Sequence, residues 1–247
     1  MEIQFNFVLN NNYIFNIQKY VFLYNLFYMM LQGKFIAAVK DYDAEVDEDL
    51  LNCAYDFAMH AHSSQIRASG LPYFTHPVAV ASILVSMRLD ELTIITALLH
   101  DTVEDTKVTL DSIEHFFGKE VAFLVDGVTK LSQIALQSNK VKQAKNFRKL
   151  LVAMSLDIRV LLVKLADRLD NMRTIHYIKN EEKRKRIALE TNDIYAPLAE
   201  RIGMHKIKDE LQDISFGILY PDVRLSIAQR LNCFHDLLLM VLTFLHF

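Results

Sequence analysis

Apolar residues recur at steps of three and four along most of this chain, and this spacing constrains the fold more than any other feature. The pattern begins near Glu45, where Leu51, Ala54 and Ala58 would share one helix face. Acidic residues 47–49 stand at the start of that helix, where its dipole favours negative charge. No convincing run alternates apolar and polar residues as a half-buried strand does. The sequence therefore predicts an all-α domain.

Breaks in the apolar spacing divide the chain into predicted helices. SSQIRASGLPYFTHP is a predicted loop because Gly70 and two prolines cannot continue a helix, and Pro77 suits the first turn of the next one. VAVASILVSMRL and ELTIITALLHD are too apolar for a solvated face, so they predict two buried helices. Thr109 is a predicted cap for a short helix that ends at Gly118, with another helix through Val125.

The later stretches are also predicted to be helical. The apolar residues 160–163 in DIRVLLVKLADRL would suit a buried strand, but the spacing continues through Leu165 and Leu169 and favours a helix. Residues 140–154 have one basic and one apolar face, which is typical of a solvated helix. After the polar stretch KNEEKRKR we expect a long helix that is kinked at Pro197.

Both ends of the chain differ from its middle. We predict an aromatic-rich N-terminal extension at 1–44, a central domain at 45–215 and an apolar C-terminal tail at 216–247. The apolar run at 20–31 is shorter than the ~20 residues that a membrane-spanning helix needs, and it lacks the features of a signal peptide. We expect no membrane span. The extension is either an amphipathic helix or poorly ordered, and the tail is either a docked helix or a truncation point.

Composition excludes several classes of protein. An apolar content of 52% is enough for one packed core, and a formal charge of −3 leaves no net basic field for nucleic acid, only room for a local anion pocket. The two cysteines, Cys53 and Cys233, are far apart and form no CxxC motif. They therefore predict neither a disulfide framework nor a thiolate zinc site, and they suit a reducing cytoplasm.

The stretch LLHDTVEDT holds the candidate chemistry. His100 and Asp101 offer a nitrogen and an oxygen ligand, a set that suits Mn, Fe, Zn or Mg, and neighbouring residues reach one ion only near a helix end. The best-placed further ligands are His76 in THP and Asp167 in KLADRLDNMRT. Taken alone, a histidine beside a proline is more often a helix cap, and an aspartate beside Arg168 is more often half of an ion pair.

The segments RASGLPYFTHP, LLHDTVEDT and KLADRLDNMRT, in this order and separation, resemble the hydrolase domain of the RelA/SpoT family of alarmone enzymes, a branch of the HD phosphohydrolases. The resemblance runs from about Ala54 to Asp213 and includes ETNDIYAPLAERIGM and KDELQDISF. It implies an all-α HD fold. It also implies Mn²⁺-dependent hydrolysis of guanosine 3′,5′-bis(diphosphate), or of the pentaphosphate, to GDP or GTP and diphosphate.

The resemblance implies a role for individual residues as well. Four residues would hold one ion, typically Mn²⁺: His76, His100, Asp101 and Asp167. Two carboxylates would act on the attacking water or on the leaving group: Glu104 and Asp105. The others would contact the nucleotide: Arg67, Ser69, Asn171, Thr174 and, near a phosphate, Arg184. A metal supplies a nucleophile at neutral pH, and nearby carboxylates can hold water or pass its proton, so these residue types suit the reaction.

The sequence departs from the family pattern at three positions. Ala68 stands where lysine is common, Asp170 where histidine is common, and Glu200 where asparagine or histidine is more common. None of these changes removes a proposed metal ligand. We expect an effect on nucleotide affinity and a more negative charge around Asn171.

Two alternatives to this function remain open. One is an HD phosphohydrolase that acts on another nucleotide, and the other is an inactive remnant of a longer bifunctional synthetase/hydrolase. The segment after Asp213 is too short for a nucleotide-synthesising domain. We therefore expect either a small stand-alone hydrolase or the truncated front of a long enzyme, and the unusual ends favour the second.

Overall fold

The computed structural model describes residues 31–135 and 157–230, and within these ranges the elements are helices joined by loops, which confirms the predicted all-α fold. The α-helices are α1 Glu48–Ala61, α2 Thr75–Ser86, α3 Glu91–Leu99, α4 Thr102–Asp105, α5 Leu110–Ala135, α6 Ile158–Arg173, α7 Glu181–Glu190, α8 Ala196–Arg201 and α9 His205–Leu219. A 3₁₀ turn covers Ile175–Tyr177 and a π-helical turn covers Thr191–Tyr195. Residues 31–40 and 221–230 are helical as well. Among the described helices, none is both long and apolar enough to cross a membrane.

Side-chain caps begin several of these helices. Asp47, Asp90 and Asp157 each accept a hydrogen bond from a backbone N–H in the first turn of α1, α3 and α6. Such caps satisfy N–H groups that have no partner within the helix. Thr109 likewise accepts from the backbone of Ser112 at 3.2 Å, which confirms its predicted capping role.

Two predicted breaks are also present, although one helix is longer than predicted. Gly118 interrupts α5 with a φ of 85°, a backbone conformation that glycine adopts without the steric cost of a side chain. The helix then continues to Ala135, well past the predicted end at Val125. Pro77 lies in the first turn of α2, where its missing N–H costs nothing.

Helix α6 is the central element of the fold. It packs against α2, α3, α5 and α9, and its side chains from Val160 to Ala166 are buried without interruption. A helix covered on all sides is apolar all round, which explains the strand-like run at its start. The choice of helix over strand for this stretch is confirmed. Its central position also brings Asp167 to the middle of the molecule.

The prediction for the KNEEKRKR region was wrong in its boundaries. This stretch does not precede the helix but forms its beginning, because Asn180 accepts from the backbone N–H of Lys183 and α7 starts at Glu181. A π-helical turn separates α7 from α8, and Pro197 lies in the first turn of α8, so the predicted long helix is divided before the proline. A π-turn inserts an extra residue into the helix and so reorients the turns after it.

Part of the predicted N-terminal extension belongs to the packed core. Residues 31–40 are helical, and they bury Phe35, Ile36 and Val39. The division at 1–44, 45–215 and 216–247 stays a prediction. The predicted helix at 140–154 and the ends of the chain before 31 and after 230 lie outside the described residues.

Candidate functional site

Two histidines and an aspartate meet where α2, the end of α3 and α6 converge. His76, His100 and Asp167 are 2%, 1% and 4% exposed, and one ligand atom from each lies within 4.8 Å of the others. The structure therefore brings together three of the four predicted metal ligands from sites 24 to 91 residues apart in the sequence. Nitrogen and carboxylate oxygen donors in this number suit a divalent first-row ion.

The ring of His100 is oriented for a ligand. Its Nδ1 donates to the carbonyl oxygen of Ala97 at 2.8 Å, which leaves Nε2 unprotonated in the neutral ring. Nε2 is buried without a hydrogen-bond partner among the described residues, although the carboxylate Oδ1 of Asp101 lies 3.1 Å away. A buried acceptor without a donor is costly, and a metal ion would satisfy it.

Asp101 stands at the open side of this cluster. Its Oδ2 lies 3.6 Å from Nε2 of His76 and accepts a hydrogen bond of 2.8 Å from the hydroxyl of Tyr73. The same hydroxyl lies 3.0 Å from Oδ2 of Asp105. Tyr73 therefore links the fourth predicted metal ligand to one member of the predicted catalytic pair, a role that the sequence did not indicate.

The electrostatic field of the cluster favours a cation. Burial lowers the pKa of His76, but its hydrogen bonds to Asp167 and Asp170 outweigh burial and raise the pKa to about 9. Burial likewise lowers the pKa of His100, and the neighbouring Asp101 carboxylate outweighs it, so the net pKa is raised. The neighbouring carboxylates therefore favour positive charge on both histidine rings despite their burial. A divalent cation would supply the same positive charge.

Asp167 has two further partners on its own helix. Lys164 contacts its Oδ2, and the side-chain amide of Asn171 donates to its Oδ1 at 2.5 Å. Lys164 is buried and also donates to Ser132 of α5 at 3.0 Å. Sequence analysis missed this lysine. Two features of the sequence could have indicated it. Lys164 interrupts an apolar run, and it precedes Asp167 by three residues, which places both side chains on the same face of a helix.

A cleft of about 610 Å³ opens next to the cluster. Its lining includes most of the predicted site residues, namely Arg67, Ser69, His76, Asp101, Glu104, Asp105, Asp167, Asn171 and Thr174. His100 is fully buried and is not part of this lining. Burial raises the pKa of Glu104, and the Asp101 carboxylate raises it further. Ala68, one of the departures from the family pattern, also lines the cleft.

Arg184 is the predicted nucleotide contact that the structure does not bring to the cleft. It donates instead to the carbonyl oxygen of Ile178 at 2.8 Å, while Lys183 and Arg186 line the cleft. Neighbouring helix positions point about 100° apart, so the phase of α7 decides which cation faces inward. Arg168 of α6 also lines the cleft, with its guanidinium 4.0 Å from the ring centre of Tyr195. Sequence analysis missed these three cations.

Comparison with known proteins identifies the family of this chain. Residues 54–205 match the HD domain family model, a range that contains every predicted site residue. The chain is 54% identical over 203 residues to the GTP pyrophosphokinase rsh of Brucella ovis, which covers 82% of this chain and 27% of that protein. It is 54% identical over 172 residues to the bifunctional (p)ppGpp synthase/hydrolase SpoT of Escherichia coli, which covers 70% and 24%.

A solved structure is also similar. It is described as a metazoan ortholog of SpoT that hydrolyzes ppGpp, and it matches with a TM-score of 0.52 and 27% identity over 65% of this chain and 90% of that one. The chain spans about a quarter of the length of the curated relatives it matches. The family model, the relatives and the site together show that this chain belongs to the HD domain family, with an HD domain of the RelA/SpoT type.

Proposed function

We propose that this chain hydrolyses guanosine 3′,5′-bis(diphosphate) at its 3′-diphosphate, giving GDP and diphosphate, and GTP from the pentaphosphate. The observation that carries the proposal is the His76, His100 and Asp167 cluster at the wall of a cleft that is also lined by cations. The substrate is suggested by the SpoT relative and by the metazoan structure, both of which are named for ppGpp. The cysteine content supports action in the cytoplasm.

The ion would be held by His76, His100, Asp101 and Asp167. We propose Mn²⁺, because a mixed set of imidazole and carboxylate donors suits it and because the resemblance implies it. When bound, such an ion supplies a nucleophile at neutral pH by lowering the pKa of water.

Glu104 and Asp105 are proposed to hold the attacking water and take its proton. Both line the cleft one turn beyond Asp101, and neither belongs to the buried cluster of ligand atoms. The raised pKa of Glu104 makes it a better proton acceptor than an ordinary glutamate. Tyr73 and Gln65 position Asp105, since Tyr73 lies 3.0 Å from its carboxylate and Gln65 donates to its backbone carbonyl at 2.6 Å.

The cationic side chains of the cleft are proposed to bind the phosphates. Lys183 and Arg186 of α7 and Arg168 of α6 line the cleft, and Arg67 lies with Asn171 and Thr174. Charge develops on phosphate oxygens during hydrolysis, and fixed cations stabilise that charge at no reorganisation cost. The nucleoside would then lie along the cleft beside Ser69 and Asn171.

The test is diphosphate release by the purified protein with added Mn²⁺. We expect release from guanosine 3′,5′-bis(diphosphate), and loss of activity in His100→Ala and Asp101→Asn. A panel of other nucleotides is run beside it. Faster cleavage of a different nucleotide would favour the other HD phosphohydrolase, and a folded, ion-loaded protein that cleaves nothing would favour the inactive remnant.

A further inference from the structure

Asp170 joins two parts of the site through one oxygen atom. It follows Asp167 by three residues on α6, and it is 6% exposed. Its Oδ2 lies 2.6 Å from Nδ1 of His76 and accepts a hydrogen bond of 2.9 Å from Nη1 of Arg67. His76, a proposed metal ligand, and Arg67, a proposed nucleotide contact, therefore share Asp170 as a partner. Neither proposed role includes Asp170 itself.

The contact to His76 sets the orientation of that ring. An ionised carboxylate only accepts, so Nδ1 must carry the proton and the lone pair of Nε2 is left for a ligand. Nε2 points to the centre of the cluster, 3.2 Å from Oδ1 of Asp167 and 3.6 Å from Oδ2 of Asp101. A carboxylate behind a ligating histidine also makes the ring more basic and so a stronger ligand.

The contact to Arg67 holds a cation at the cleft wall. The arginine approaches Asp170 through Nη1, while its Nη2 lies 3.2 Å from Oγ1 of Thr174 and 3.5 Å from Oδ1 of Asn171. Only 14% of the Arg67 side chain is exposed, and 9% of that of Asp170. A guanidinium held this way is ordered before any ligand arrives, which lowers the entropic cost of binding.

We propose that Asp170 is a positioning residue that holds His76 for the ion and Arg67 for the nucleotide at the same time. The inference rests on the proposed function, which gives His76 its role at the ion and Arg67 its role at the nucleotide. It predicts that loss of the Asp170 charge weakens metal binding and nucleotide binding together. Loss of Arg67 should weaken nucleotide binding alone.

The experiment compares Asp170→Asn with Arg67→Gln in the full chain. For Asp170→Asn we expect Mn²⁺ affinity, measured by calorimetric titration, to fall by about 10–100-fold, the usual effect of losing a partner of a metal ligand. Its KM for guanosine 3′,5′-bis(diphosphate) should rise as well. For Arg67→Gln we expect a raised KM and unchanged Mn²⁺ affinity.

Glu210→Gln is the matched control. Glu210 accepts from Nε and Nη2 of Arg173 at 2.6 and 2.8 Å. This change therefore also removes the carboxylate partner of an arginine, but away from the cleft. We expect it to leave Mn²⁺ affinity and KM unchanged. Circular dichroism confirms that each variant is folded. A purely structural role for Asp170 would lower the melting temperature without changing the Mn²⁺ affinity of the folded protein.

A measurement on the wild type covers the case in which Asp170→Asn does not fold. In protein loaded with diamagnetic Zn²⁺, ¹⁵N NMR should show the His76 proton on Nδ1. A proton on Nε2, or normal Mn²⁺ affinity and KM in folded Asp170→Asn, would overturn the inference while leaving the hydrolase intact. A wild type that neither binds Mn²⁺ nor cleaves the nucleotide would overturn the proposed function, and the inference with it.

Discussion

The pairs His100–Asp101 and Glu104–Asp105 of LLHDTVEDT have different surroundings at the level of single residues. Asp101 faces the buried histidines, and His100 and His76 hold its pKa below its ordinary range despite burial. Glu104 lies further out, and burial together with Asp101 raises its pKa. A carboxylate held ionised suits a metal ligand, and one with a raised pKa suits proton transfer.

The first prediction separates these roles. We expect Glu104→Gln and Asp105→Asn to reduce turnover by about 10²–10⁴-fold, as for other acid–base groups, with Mn²⁺ still bound. Asp101→Asn should weaken Mn²⁺ binding itself, because a neutral amide oxygen is a poorer ligand than a carboxylate. Mn²⁺ titration beside single-turnover rates checks this. Equal loss of metal in Glu104→Gln and Asp101→Asn would show that Glu104 belongs to the ligand set.

The second prediction concerns Lys164, which is buried against Asp167. Lys164→Met should lower the free energy of unfolding of the metal-free protein by about 3–5 kcal/mol, because it leaves a buried carboxylate without its cation. Added Mn²⁺ should recover part of this loss, since the ion replaces the missing charge. Urea unfolding with and without Mn²⁺ measures both effects. Lys208→Met, at a more exposed ion pair, is the control, and an equal loss there would contradict the prediction.

Helix α6 is the element that organises the site. Asp167, Asp170, Asn171 and Thr174 lie on it or at its end, and its first turn is held by Asp157, which accepts from the backbone and the guanidinium of Arg159. The hydrogen bond from Arg159 is the main reason that the pKa of Asp157 is lowered. The position of the ligand helix therefore depends in part on a charged cap.

The third prediction follows from this cap. Asp157→Ala should cost about 1 kcal/mol of stability, and Asp157→Asn less, because asparagine also caps helices. A carboxyl whose pKa is lowered in the folded state stabilises the fold fully above its unfolded pKa and loses this effect as pH falls through its folded pKa. The difference between wild type and Asp157→Asn should therefore shrink below a pH of about 4, the ordinary aspartate range.

Thermal melts at several pH values check this behaviour. Asp47→Ala removes the cap of α1, where Asp47 accepts from the backbone N–H of Leu50 at 3.0 Å. It should cost a similar amount of stability near neutral pH. A difference between wild type and Asp157→Asn that grows towards acid pH would contradict the assigned direction of the pKa shift.

At the scale of the whole molecule, the site ties distant parts of the chain together. The proposed ligands come from α2, from the junction of α3 and α4, and from α6, and these helices form the middle of the core. Because the unfolded chain does not hold these groups together, an ion binds the folded state preferentially. Metal binding is therefore coupled to stability.

The fourth prediction uses this coupling. Mn²⁺ at 100 times its Kd should add about 2.7 kcal/mol to the free energy of unfolding. For a chain of this size that corresponds to a rise in melting temperature of roughly 5–11 °C. Differential scanning calorimetry with and without Mn²⁺ measures it. His100→Ala should show little or no rise, and a wild type that melts at the same temperature in excess Mn²⁺ would contradict the metal assignment.

The sequence by itself determined the fold class, the helices around the site and the residues that the HD motifs contain. These follow from local rules, since apolar spacing, caps such as Thr109 and the turn at Gly118 act over a few residues. The motifs added His76 and Asp167, which local patterns left open. The length of α5 was beyond these rules, because packing extends helices past weak local signals. The start of α7 does follow a local rule, the side-chain cap at Asn180, which the prediction of a polar stretch before the helix overlooked.

Only the tertiary structure decided which other side chains reach the site. Lys183 and Arg186 face the cleft and Arg184 does not, because the packed register of α7 fixes its rotation and a shift of one position turns a side chain by about 100°. The contact of Asp170 with Arg67 joins residues 103 positions apart. No local pattern encodes such a contact, since it exists only when α6 and the loop before α2 pack together.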